Sequence, residues 1–166
     1  MKLASYVGTR DSVMQKVYLA LYKGPPTNDI VHVISHWVTC IVLSIRDLKI
    51  TKYSHSEIYI DGICYSSSVR DGGVRSKVID LNSGKWDIVD LSSFIDTAYA
   101  LEVFKTKEGN RYDWFGALGF GLPFLKQDPN KEFCFEICAT MLNLPSPAKW
   151  TPARFIKHFT RYASSE

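Results

Sequence analysis

Residues 53–81 read YSHSEIYIDGICYSSSVRDGGVRSKVIDL, and this stretch sets the fold class. HSEIYI (55–60) alternates with the period of a strand. Asp61-Gly62 is the favoured two-residue hairpin turn, and ICYSSS (63–68) returns from it. RDGGV (70–74) turns again into VRSKVIDL, and WDIVDL (86–91) supplies another short strand. The expectation is a small antiparallel sheet of three or four strands.

Helices flank it on both sides. GPPTN (24–28) is a loop, and Thr27 or Asn28 can cap a helix over about 29–46, where Ile30, Val33, Ile34, Trp37, Ile41 and Ile45 recur at helical spacing. VTCIVLSI (38–45) is rich in β-branched residues, so the end of that helix stays open to a strand reading. Near the start, LASYV (3–7) reads as a strand followed by a turn at TRDS. Downstream, Ser92 or Ser93 can cap a helix over FIDTAYALEVFKTKEG (94–109) that stops at Gly109. RYDWFGALGFGLPFLKQDPN (111–130) is glycine-rich, apolar and helical in part. Asp128, Pro129 and Asn130 open a helix through FCFEICATML that ends before Pro145, and Thr151-Pro152 open a last one over PARFIKHFTRYA. The organisation is α+β in one domain, 1–166, with the sheet packed against helices.

A chain of 166 residues can bury a core without disulfide or metal support. Twenty basic against 17 acidic residues, net +3, is too small an excess to make nucleic acid the principal partner. The four cysteines show no CxxC pairing, so neither a zinc ribbon nor a disulfide framework is implied, and no cofactor is called for. His32 and His36 stand at i, i+4, but Val33 occupies the place where a zincin needs glutamate, so no metal is implied. MKLASYVGTRDS lacks the apolar run of a signal peptide, and IVHVISHWVTCIVLSI (30–45) is short and interrupted for a membrane span. A reducing cytoplasm is therefore the expected compartment. For WFGALGFGLPFL (114–125), core or crevice lining is favoured over membrane contact. The oligomeric state is left open.

KEFCFEICATML (131–142) carries the candidate chemistry. Cys134 falls in the first turn of its helix, where unpaired N–H groups and the helix dipole favour a thiolate; Cys138 lies one turn deeper. Cys134, Ile137, Cys138 and Met141 also form an apolar face, so two core thiols are the alternative. His55, at the start of a strand, is the best base. A third group would orient it. Ser66 lies on the returning strand roughly opposite, and Glu57 shares the face of His55. A hydrogen bond from i to i+2 along a strand is a long reach, so Glu57 is alternatively a substrate-site residue or the partner of an arginine. VRDGGVRSK (69–77) is either an anion or substrate contact or a solvated turn.

The order YSHSEIYI–DG–ICYSSS, then Tyr112-Asp113, then FCFEICA resembles the circularly permuted NlpC-type branch of the papain-like superfamily. That branch includes bacterial permuted hydrolases, lecithin retinol acyltransferase-like proteins and small phage-encoded members. Ser54, His55, Ile58, Tyr59 and Ile60 match its histidine-led strand, and Cys134 and Glu136 match its last motif. The resemblance covers roughly residues 53–142 and implies a papain-like fold, with Cys134 as nucleophile and His55 as general base. It further implies an oxyanion held by the Cys134 backbone N–H and a neighbouring donor. The family's third position falls on Ser66, where relatives carry glutamate, histidine or another polar side chain. Phe135 stands where serine is usual. The function implied is a cysteine hydrolase, a peptidase or amidase, acting on a peptide, amide or acyl substrate, in the host cytoplasm if the setting is a phage. Acyl transfer or thioester chemistry on a lipid-like substrate is the alternative, and a non-catalytic binding or host-interaction module is a third reading.

Overall fold

The computed structural model describes residues 15–24, 30–113 and 131–163. Strands β1 (Val17–Tyr22), β2 (His55–Ile60), β3 (Ile63–Ser68), β4 (Gly73–Lys77), β5 (Trp86–Asp90), β6 (Arg111–Tyr112) and β7 (Lys131–Glu132) form one sheet in the order β5-β1-β2-β3-β4-β6-β7. All pairs are antiparallel except β6–β7. The sheet is therefore wider than three or four strands. Helices α1 (Ile30–Asp47), α2 (Thr97–Lys107), α3 (Cys134–Met141) and α4 (Pro152–Ala163) accompany it, with a 3₁₀ turn at Pro147–Lys149.

The hairpin forms as its sequence dictates. Asp61 (φ 45°) and Gly62 (φ 101°) both adopt the positive φ of a two-residue turn, and Ile58, Tyr59 and Ile60 pair with Tyr65, Cys64 and Ile63. Gly73 is required for a second reason. A Cβ there would lie 1.9 Å from the Asn110 carbonyl oxygen, so only glycine lets β6 lie against β4.

Several expected boundaries move. Strand β1 was not anticipated; the strand expected at 3–7 and its turn lie outside the described residues, as do Thr27, Asn28 and Trp114–Asn130. Helix α2 begins not at Ser92 or Ser93 but after Asp96, whose Oδ1 accepts from Tyr99 N at 3.1 Å. Ser92 Oγ instead accepts from Val17 N at 3.0 Å, tying β1 to the segment after β5. Gly109 (φ 83°) does follow the helix end. Lys131 and Glu132, expected in the Cys134 helix, pair with Arg111 and Tyr112 as a strand. Helix α3 thus starts at Cys134 itself.

With eight residues, α3 is too short to persist by propensity alone. Its neighbours hold it. Seven of its side chains are buried, against Ile58 of β2, Phe104 of α2, Phe155 and Phe159 of α4 and Leu43 of α1 in one core. Full burial of each large apolar side chain contributes about 1.5–3 kcal/mol. The same packing fixes the N-terminus of α3, and with it the Cys134 sulfur, over the sheet.

Candidate active site

The hairpin contributes His55 as the first residue of β2, and α3 contributes Cys134 as its first residue. Phe133, the N-cap, is extended (φ −105°, ψ 165°) and its side chain makes no capping bond, so the helix opens directly onto the sulfur. Cys134 is 3% exposed and lies near enough to the His55 imidazole to act on its pKa. The sequence-remote pair is brought together by the packing of α3 on β2.

Glu57 is the group behind the histidine. Its Oε1 lies 2.7 Å from His55 Nε2. The i to i+2 reach is bridged because both side chains leave the same face of β2 and a glutamate is long enough to lean back along it. Glu57 is also fully buried and gripped by Arg75 of β4, with Nη1 donating to Oε2 at 2.8 Å and Nη2 to Oε1 at 2.6 Å. Arg75 Nε in turn donates to Asp71 Oδ2 at 2.8 Å, and Lys77 Nζ to Asp71 Oδ1 at 3.1 Å. The turn read as a basic loop thus sends Arg75 inward as a clamp. Both alternatives weighed for Glu57, histidine partner and arginine partner, hold at once.

Charge follows from this wiring. Burial alone would push the His55 imidazole down, but the negative charge and hydrogen bond of Cys134, followed by those of Glu57, outweigh it and raise the pKa to about 9. Burial opposes ionisation of Glu57, yet the Arg75 and His55 hydrogen bonds and charges hold it below the usual carboxylate range. With Nε2 engaged by Glu57, Nδ1 is the nitrogen left to face the sulfur. Trp86 packs edge-on to the imidazole at 6.3 Å between centroids. The Tyr112 phenol of β6 has its pKa raised by burial, by the charge on Cys134 and by Asp113.

Ser66 is placed differently from expectation. It sits opposite Arg75 in the β3–β4 register, and its hydroxyl donates to the Ser56 carbonyl at 2.6 Å. The carboxylate beside His55 is that of Glu57, and Ser66 braces the β2 backbone. Phe135 turns into the core, its ring 6.4 Å from that of Phe155. Cys138 is fully buried, accepts from Ser56 Oγ at 3.4 Å, and has its pKa pushed up by burial, as a core thiol does.

A second cysteine–histidine contact was not anticipated. On α1, Cys40 Sγ lies 3.8 Å from His36 Nε2, and His36 Nδ1 lies 2.6 Å from Ser54 Oγ. The i, i+4 spacing of His36 and Cys40 on a helix was the available signal. The side chain of His32 lies outside the described set. Among the described residues no group of three or more His, Cys, Asp or Glu is placed to hold a metal, and no helix is long and apolar enough to cross a membrane.

No family model matches the chain, and no curated protein and no solved structure matches it.

Proposed function

We propose that this protein is a cysteine hydrolase of the permuted NlpC-type, papain-like kind, acting on an amide or ester bond. The observation that carries the reading is the line Cys134–His55–Glu57–Arg75, a thiol at a helix start joined to an imidazole whose far nitrogen meets a buried, arginine-held carboxylate. The histidine-led strand preceding the cysteine-led helix in the chain supports the permuted order.

In this mechanism His55 Nδ1 takes the Cys134 proton and the thiolate attacks the substrate carbonyl carbon. The oxyanion forms beside the first-turn N–H groups of α3, that of Cys134 foremost. The imidazolium then protonates the leaving amine or alcohol as the C–N or C–O bond breaks, leaving an acyl group on Sγ. Water, deprotonated by His55, attacks the thioester, and the proton returns to sulfur as the acid product departs. Glu57 keeps Nδ1 aimed at the sulfur and stabilises the cationic imidazole; Arg75 prevents Glu57 from taking up that proton.

The test is acyl trapping. The protein is incubated with an activated acyl ester, quenched in acid, and mapped by peptide mass spectrometry. The expected result is one acyl group on Cys134, formed far more slowly in His55→Ala and cleared on further incubation with water alone. Acylation spread over the four cysteines, or indifferent to His55, overturns the proposal.

A further inference from the structure

Helix α1 buries His36, Cys40 and Leu43 along one side. Its opposite side is apolar too. Ile30, Ile34, Trp37, Val38, Ile41 and Ile45 are all exposed, Trp37 by 58% and Ile45 by 69%. At 100° per residue these six cover a stripe about 100° wide, and at 1.5 Å per residue it runs about 22 Å. The chain then leaves the helix through Leu48, at φ 50°, and Ile50, each 94% exposed. An apolar patch of this continuity on a folded chain marks an interaction surface.

Charge along α1 and the turn after it is positive on balance, with Arg46, Lys49 and Lys52 against Asp47. Between residues 30 and 52 the acid is Asp47, whose side chain is 8% exposed and faces Arg154 Nε at 3.9 Å. The exposed ions are Lys49 and Lys52, the latter 62% exposed while within 3.0 Å of Asp87. Lys49 sits between the two most exposed apolar side chains of the turn. A second copy of the chain would have to bury Lys49 together with Leu48 and Ile50. A lipid surface takes both, the apolar groups below the headgroups and the ammonium among anionic ones.

We infer that the outer face of α1 and the Leu48–Lys52 turn dock on an anionic lipid surface, lying in its plane. The inner face of α1 abuts the strand ends of the candidate site. His36 meets Ser54, the neighbour of His55, and its ring contacts Tyr22, which pairs with His55 across β1–β2. Docking therefore holds that edge of the sheet at the headgroup layer. The docking surface stands on exposure and charge alone, whatever the chemistry at Cys134.

The full chain is tested by co-sedimentation with vesicles of phosphatidylcholine alone or mixed with phosphatidylserine, with Ile41→Asp, Ile45→Asp and Lys49→Glu as variants. All three positions are exposed, so the fold is expected to persist in each variant, with the thermal midpoint within a few degrees of that of the parent. The parent is expected to pellet with phosphatidylserine vesicles, about tenfold less with phosphatidylcholine, and less at high salt. Each aspartate variant is expected to lose about tenfold or more, and Lys49→Glu several-fold. A parent that stays in the supernatant overturns the inference, as does pelleting indifferent to Ile41→Asp or to the anionic lipid. An Ile41→Asp-sensitive dimer in sedimentation equilibrium without vesicle binding assigns the face to a second copy and overturns it too.

Discussion

Cys134–His55 and Cys40–His36 use the same two side chains, and in each the imidazole stands between a sulfur and an oxygen partner. In the α1 pair the sulfur is 3.8 Å from Nε2 and the second nitrogen meets a neutral serine hydroxyl, Ser54. In the other the second nitrogen meets the Glu57 carboxylate, and Arg75 keeps that carboxylate ionised. The consequence is opposite titration. Burial lowers the His36 pKa and pushes Cys40 up to about 11, whereas His55 is raised to about 9 despite burial. Position compounds the difference, because Cys40 sits mid-helix and Cys134 is the first residue of α3, at the positive end of the helix dipole. A cysteine beside a histidine is thus not the same device in both places: only Cys134 has a carboxylate behind its imidazole partner and a helix start beneath its sulfur.

Removing one histidine from each pair tests that difference most severely. His55→Ala is expected to slow iodoacetamide alkylation of Cys134 near neutral pH by about 10²-fold or more, the usual scale of a lost acid–base partner. His36→Ala is expected to leave the already slow Cys40 within about twofold. Site-resolved mass spectrometry of labelled peptides reads both, and equal effects at the two cysteines would erase the distinction.

Next in size is the clamp. Arg75→Met strands Glu57, a fully buried carboxylate, and is expected to cost about 3–5 kcal/mol in urea unfolding. Adding Glu57→Gln to Arg75→Met should recover a good part of that loss, because the stranded charge is gone. No clamp of this kind stands behind His36, where Ser54→Ala is expected to cost only about 1 kcal/mol. A cheap Arg75→Met would mean that the carboxylate is not held as described.

The titrations can be read directly from histidine ring signals in NMR. His55 is expected to titrate with a midpoint near 9, and His36 below the ordinary histidine value. Cys134→Ala and Glu57→Gln should each bring the His55 midpoint down, since each removes a negative partner. A His55 midpoint at or below the ordinary value in the parent would remove the electrostatic basis of the comparison.

Much of this was legible before the fold, and the gaps have physical causes. The hairpin announced itself because period-two alternation met an Asp-Gly turn, and α1 because its apolar residues recur at helical spacing on two faces. VYLALY, the β1 strand, is apolar without alternation, and its burial comes from β2 on one side and β5 on the other. Lys131-Glu132 looked like helix because their strand pairing is with Arg111-Tyr112, a long-range contact with no local sign. The pairing of Cys134 with His55 was legible from the helix start and the strand start. Choosing between Ser66 and Glu57 needed the β3–β4 register, which turns Arg75 toward Glu57 and leaves Ser66 to the backbone of Ser56.

The smallest expected effect separates the two histidines by the pH dependence of stability. His36 has a folded pKa below its unfolded value, so the unfolded state binds the proton first as pH falls. Its contribution is fully present above about 6.5 and is lost as pH drops through the folded value. His36→Gln removes this titration while keeping an amide to meet Ser54. The parent should therefore lose stability relative to His36→Gln as pH falls below about 6.5, and the two should run parallel above it. Urea unfolding across that range measures the divergence; parallel curves throughout would mean that His36 takes up its proton at the same pH folded and unfolded, and the contrast with His55 would then rest on Glu57 alone.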